Sequence, residues 1–136
     1  MSPDAKTTLD QLLAKSALKP LQIQGKTLLP IVQGGMGVGV SAHSLAGTVA
    51  KHGGIGTIAS VDLRHLHKDL ADATHKAKGD GAKPLIDEAN REALRREIVS
   101  AKEIAQGNGM VAVNVMKALS AYELYIKTAL EAGADA

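Results

Sequence analysis

Several glycines follow a short apolar stretch in PIVQGGMGVGVSAH, residues 30–43. They are Gly34, Gly35, Gly37 and Gly39. A glycine has no side chain, so another group can approach its backbone closely, and its amide N–H can donate a hydrogen bond to that group. The spacing therefore predicts a close approach by a nucleotide, a flavin or a neighbouring element of the fold.

The absence of cysteine and the arrangement of the histidines do not indicate a second reactive site. The chain has no cysteine, which excludes disulfides, iron–sulfur clusters and thiolate nucleophiles from these residues. On a helix, His65 and His67 point about 200° apart, so only His65 with Asp69 could chelate an ion together. We expect a solvated helix face there and no metal site.

Composition and charge narrow the class of protein. A net charge of +2 in 136 residues is too small to indicate nucleic acid or an anionic membrane as a partner. Tyr122 and Tyr125 are the only aromatic residues, which argues against a base-stacking surface. No apolar run approaches the roughly 18 residues of a membrane span, and no signal peptide is evident. We expect a cytoplasmic protein with a small-molecule substrate.

Apolar periodicity and turn residues predict the elements that position the glycines. Leucines at helical spacing predict an N-terminal helix within residues 1–20. A small hairpin with its turn near Gly25-Lys26 follows, and then a short strand at IVQ, residues 31–33. Residues 41–52 are predicted as a helix, with Ser41 as a candidate cap of its start.

Two further strand–helix units follow. GIGTIAS, residues 54–60, is typical of a strand buried on both faces, in which Gly56 predicts close packing. The polar stretch 62–84 is predicted as an insertion with a short helix and a loop. The remaining elements are a long helix, a strand and a last helix, at about 85–106, 110–116 and 120–132. This alternation predicts an α/β fold with a parallel sheet.

The long helix carries a dense set of charges. We predict that they form a solvent-facing helix surface with pairs three or four residues apart. The set comprises Asp87, Glu88, Arg91, Glu92, Arg95, Arg96 and Glu97.

Two structural interpretations fit the glycines. In the first, GVGVSA at 37–42 matches the G-x-G-x-x-A turn of a dinucleotide-binding fold, with a pyrophosphate at the helix N-terminus and Asp62 on a ribose. In the second, Gly34–Met36 end the first strand of a (β/α)8 barrel, on the face where such barrels bind ligands. The glycines then let a flat ligand lie on the backbone, and Ser60 is a rim residue at the end of the next strand.

The segments PIVQGGMGVGVSAHSLAGTVAKHGGIGTIAS and VAVNVM resemble the N-terminal part of the nitronate monooxygenase family, formerly called 2-nitropropane dioxygenases. The related flavin-dependent enoyl-acyl-carrier-protein reductases share P-I-x-Q-G-G-M, the following A-x-x-G-G-x-G and the V-N of the third strand. The resemblance covers about residues 21–61 and 90–136. It implies the first three βα units of an FMN-binding TIM barrel, preceded by a helix and a small hairpin.

The resemblance also implies a cofactor site. Gly34, Gly35 and Met36 would line the FMN ring, largely through backbone atoms, and the Asn114 side chain would hydrogen-bond the flavin. Asn114 is the one amide in the third strand, and a buried amide needs a partner. Ser60 completes the predicted cofactor-binding set.

The function implied is the oxidation of alkyl nitronates with dioxygen to a carbonyl compound and nitrite. The alternatives are an enoyl-thioester reductase that uses NAD(P)H, and a half-barrel without activity. The family's catalytic histidine and phosphate-binding loops lie downstream of residue 136, so no catalytic residue is assigned. We expect residues 1–136 to be one incomplete domain, inactive alone, which the same chain or another chain completes. A homo-oligomer is a further expected arrangement.

Overall fold

The computed structural model describes residues 3–136, with the side chains of residues 7–79 and 81–136. Within these residues the chain forms a mixed α/β structure of five α-helices and four strands. The helices are α1 (Pro3–Lys15), α2 (His43–Lys51), α3 (Lys68–Thr74), α4 (Lys83–Ala105) and α5 (Tyr122–Glu131). The strands are β1 (Leu21–Ile23), β2 (Lys26–Leu28), β3 (Ile55–Ala59) and β4 (Met110–Asn114). The predicted α/β alternation is confirmed, and residues 1 and 2 of the predicted first helix lie outside the described residues.

β1 and β2 form the predicted antiparallel hairpin. Its turn lies at Gln24-Gly25, one residue earlier than predicted, and both residues have positive φ, 49° and 76°. Lys26 Nζ donates to the Gly109 carbonyl oxygen at 3.0 Å. Leu28, Ile55 and Met110 form a small core under the hairpin. The hairpin therefore covers the amino end of the parallel sheet.

β3 and β4 pair in parallel, with Ile55 opposite Met110 and Ala59 opposite Asn114. The predicted strand at 31–33 is shorter than expected, because it forms a single parallel bridge between Val32 and Ile55. Two backbone hydrogen bonds of 2.9 Å fix that bridge, and the chain leaves the sheet immediately afterwards.

A fourth segment lies along the other side of β4. Asp135 N–H donates to the Val111 carbonyl at 2.8 Å, and Val113 N–H donates to the Ala136 carbonyl at 2.9 Å. The carboxylate of Asp135 also accepts from Val111 N–H and from Lys102 Nζ. Burial alone would raise the pKa of Asp135, but these hydrogen bonds hold it below its usual value. Consecutive segments of the chain thus lie side by side in chain order.

Helices α2, α4 and α5 pack on one face of the sheet, as right-handed crossovers require. Alternate strand residues, Ile58 and Val111 among them, point into this helix layer. A methyl group on Gly56 would lie 1.8 Å from the Ala46 carbonyl oxygen, so α2 lies directly on β3 as predicted. No helix within residues 3–136 is long and apolar enough to cross a bilayer.

The insertion after β3 lies against the outer side of α4. The Arg96 guanidinium donates to both carboxylate oxygens of Asp69, at 3.0 and 2.9 Å. Glu92 pairs with Arg95 and Arg96, and hydrogen bonds from these two guanidinium groups lower the pKa of Glu92 to about 2. The predicted charged surface of α4 is confirmed for these residues.

We predict that Gly56→Ala lowers the free energy of unfolding by about 3 kcal/mol, because the new methyl group displaces α2 from β3. Gly81→Ala is the matched control, since no atom lies within 4 Å of its added Cβ. Urea unfolding followed by circular dichroism measures both variants. Equal stability of the two variants would contradict the close contact between helix and strand.

Candidate functional site

The first parallel segment leaves the sheet at Gln33, and the side chain of Gln33 continues the pairing. Thr57 N–H donates to Gln33 Oε1 at 3.0 Å, and Gln33 Nε2 donates to the Thr57 carbonyl oxygen at 3.2 Å. The amide therefore takes the place of a backbone neighbour for Thr57, which is buried. The chain can turn away at Gly34 without leaving Thr57 unpaired.

Ser41 holds the turn that follows. Its fully buried hydroxyl oxygen accepts from Met36 N–H at 2.8 Å and from Gln33 Nε2 at 2.9 Å, and donates to the Gly34 carbonyl at 3.2 Å. The prediction that Ser41 caps α2 is wrong. The N-cap is Ala42, without a side-chain hydrogen bond, because the Ser41 hydroxyl faces back to the loop.

The structure brings the predicted flavin residues of the first and third strands together. A methyl group on Gly35 would lie 2.7 Å from Asn114 Cβ and 3.6 Å from Thr57 Cγ2. No atom lies within 4 Å of the corresponding position on Gly34, and Met36 is half-exposed. Gly34 and Gly35 thus form an exposed backbone surface, which we call the glycine floor, beside Asn114 at the carboxyl ends of the strands.

Asn114 is exposed, so the expectation of a buried amide is wrong. Its backbone carbonyl accepts from Ser60 N–H at 3.2 Å. Among the described residues, its side-chain amide has no hydrogen-bond partner. That amide can both donate to a ligand and accept from it.

Ser60 is separated from the other predicted site residues. Its side chain is fully buried, and its hydroxyl has no partner among the described residues. Strand alternation places Ser60 with Ile58, on the helix side of the sheet, whereas Asn114 lies on the opposite side. The expected position of Ser60 at an open rim is therefore not observed.

The second pair of glycines faces protein. A Cβ on Gly39, which has φ +74°, would lie 2.7 Å from Leu66 Cδ2. A Cβ on Gly37 would lie 3.8 Å from Val61 Cβ. The Leu66 side chain, from the connection after β3, therefore occupies the space beside Gly39 where the dinucleotide interpretation would place a pyrophosphate.

Glu97 closes the N-terminus of α2. Its side chain is 1% exposed, so the prediction that Glu97 belongs to the solvent-facing surface is wrong. Its Oε2 accepts from His43 N–H at 2.6 Å and lies 2.8 Å from His43 Nδ1, and its Oε1 lies 3.1 Å from His67 Nε2. A buried carboxylate thus occupies the helix terminus that would otherwise attract a phosphate.

Asp62 also has a partner within the chain. Its carboxylate contacts the Arg64 guanidinium, and Asn90 Nδ2 lies 3.5 Å from the same oxygen. Together with Glu97 and Leu66, this pairing disfavours the dinucleotide interpretation. Among the described residues, no group of three or more acidic or histidine side chains is arranged to hold a metal ion.

A cavity of about 390 Å³ lies at the amino end of the sheet, beside Leu13, Leu28 and Lys51. Parallel sheets and barrels bind their ligands at the carboxyl ends of strands. The glycine floor and Asn114 lie at that carboxyl end, so we place the candidate site there.

No protein-family model matches this chain, and a search of curated proteins finds no match. The interpretation of the site therefore depends on the motifs of the sequence and on the geometry described above.

We predict that Ser41→Ala lowers the free energy of unfolding by about 2 kcal/mol, because Met36 N–H and the Gln33 amide lose their shared acceptor. Ser44→Ala is the control, since Ser44 is exposed on α2. Chemical denaturation measures both variants. If Ser41→Ala were as stable as Ser44→Ala, the hydroxyl would not hold the loop.

Proposed function

We propose that this chain forms the FMN-binding start of a (β/α)8 barrel, and that the whole protein is an FMN-dependent oxidoreductase of the nitronate monooxygenase type. The observation that carries the proposal is the glycine floor at the carboxyl ends of parallel strands, beside the Asn114 amide, which has no hydrogen-bond partner among the described residues. We infer the cofactor and the reaction from the resemblance of the P-I-x-Q-G-G-M and V-N motifs to that family.

The order of the parallel segments supports the barrel. In a barrel each strand pairs with the next along the chain, and all helices lie outside. In the dinucleotide-binding strand order, 3-2-1-4-5-6, the fourth strand instead pairs with the first. Here residues 135 and 136 pair with β4, the third parallel segment, and the helices share one face. The remaining strands would come from the same chain or from another chain.

The residues present fit the ring of FMN. A flat heteroaromatic ring needs a surface without side chains along one face, which Gly34 and Gly35 provide. The ring edge carries donors and acceptors, which the Asn114 amide can match. Because Glu97 occupies the N-terminus of α2, the FMN phosphate must bind elsewhere, consistent with phosphate loops late in the barrel.

Each group has a separate task in this proposal. Bound FMN supplies the oxidation of the nitronate and the reduction of dioxygen. Hydrogen bonds of the Gln33 and Ser41 side chains fix the position of the glycine floor relative to the strand ends. Asn114 sets the orientation of the ring, and Met36 is a polarizable contact beside it.

We predict that Gly34→Ala weakens FMN binding by the complete protein about tenfold, because its methyl group enters the space above the glycine floor. Its stability should equal that of the control Gly81→Ala, since neither added methyl group meets a protein atom.

Asn114→Ala should weaken FMN binding by a similar factor through the loss of one hydrogen bond. Flavin fluorescence titration of the apoprotein measures all three variants.

The cofactor and the reaction are tested separately. A complete protein that purifies without flavin and does not take up FMN would contradict the proposal. Oxidation of an alkyl nitronate by dioxygen without nicotinamide is the expected activity. NAD(P)H-dependent reduction of an enoyl thioester, without nitronate oxidation, would show that the protein is the reductase and not the monooxygenase.

A further inference from the structure

The cavity at the amino end of the sheet has an apolar wall built from two separate parts of the chain. Leu9 and Leu13 of α1 line it, and so do Leu28 and Leu29 at the end of the hairpin. The carboxyl-terminal end of α2 and the turn before β4 complete the lining. A volume of about 390 Å³ lies within the range of small-molecule binding sites.

Two opposite charges line this cavity without pairing. Asp10 lies on α1, and Lys51 lies in the last turn of α2. Among the described residues, neither the Asp10 carboxylate nor the partly buried Lys51 ammonium has an ion-pair or hydrogen-bond partner. A ligand with a cationic and an anionic group can therefore pair with both.

The cavity and the glycine floor lie at opposite ends of the parallel strands. Gly53, which precedes β3, lines the cavity, whereas the glycine floor lies beyond the carboxyl end of β3. The five residues of β3 span about 16 Å. One small molecule cannot occupy both places, so an occupant of the cavity is a second ligand and not the substrate of the proposed reaction.

We propose that this cavity binds a free α-amino acid with an apolar side chain. The ammonium group of the amino acid pairs with Asp10, its carboxylate pairs with Lys51, and its side chain lies against the leucines of the wall. A simple carboxylate would leave Asp10 unpaired, and a simple amine would leave Lys51 unpaired. The zwitterion is the ligand class that satisfies both charges and the apolar wall together.

Such a ligand would also hold α1 on the rest of the structure. Among residues 7–15 of α1, the side chains of Leu9 and Leu13 alone are not exposed, and both line the cavity. A molecule bound between Asp10 on α1 and Lys51 on α2 adds contacts that exist only in the folded chain. Binding should therefore raise Tm.

The test compares three compounds that share one apolar body and differ in their charged groups. Leucine is the zwitterion, isocaproate lacks its ammonium group, and isoamylamine lacks its carboxylate. We expect leucine to bind to the complete protein in calorimetry and to raise Tm, and each of the other two to bind about fivefold more weakly. Isocaproate or isoamylamine binding as tightly as leucine, or no leucine binding at millimolar concentration, would overturn the inference.

Substitutions locate the ligand. Asp10→Asn and Lys51→Gln should each weaken leucine binding about fivefold, because each removes one charge partner. Asp10→Asn should leave the affinity for isocaproate undiminished, since that compound has no ammonium group. Lys76→Gln is the control, because Lys76 is an exposed lysine outside the cavity lining. Equal leucine affinity in Asp10→Asn, Lys51→Gln and the control would contradict this site.

FMN titration of the same variants separates this inference from the proposed function. FMN binding should be unchanged in Asp10→Asn and Lys51→Gln, because the cavity lies at the other end of the strands. Normal FMN binding without leucine binding would refute the amino-acid site alone. Leucine binding by a complete protein that takes up no FMN would refute the proposed function alone.

Discussion

The pairing of the Gln33 amide with the backbone of Thr57 is the constraint on which the site depends. A parallel segment that stops after one bridge leaves its neighbour with an unpaired N–H and carbonyl, and each buried unpaired group costs about 1–3 kcal/mol. Gln33 satisfies both groups with one side chain. The backbone is then free to leave the sheet as an exposed glycine turn, and Ser41 fixes where that turn ends.

The glycine run has two halves with different physical roles. Gly34 and Gly35 lie beside Asn114 and leave backbone exposed, whereas Gly39 packs against Leu66 of the connection after β3. The buried Glu97 closes the helix terminus that follows. A turn that imitates a phosphate-binding loop in sequence is therefore a packing turn in the structure, and the open surface lies three residues earlier.

Sequence patterns predicted the α/β alternation and most elements, because apolar periodicity and turn residues act locally. The bridge at residues 31–33 and the positions of Ser60 and Asn114 depend on strand register, which single-strand patterns do not contain. The prediction for Glu97 was wrong because it relied on the charge of the side chain and not on its position along the helix. It lies three residues after Leu94 and four before Ala101, on the buried stripe of α4, and that spacing was a usable signal. The role of Ser41 needed the loop geometry itself.

A crystal structure of the complete protein with FMN tests the central claim most directly. Our account predicts the isoalloxazine ring against Gly34 and Gly35, with its edge hydrogen-bonded to the Asn114 side chain and Glu97 still on His43 N–H. A flavin or dinucleotide phosphate on residues 37–43, with Glu97 displaced from the N-terminus of α2, would contradict it.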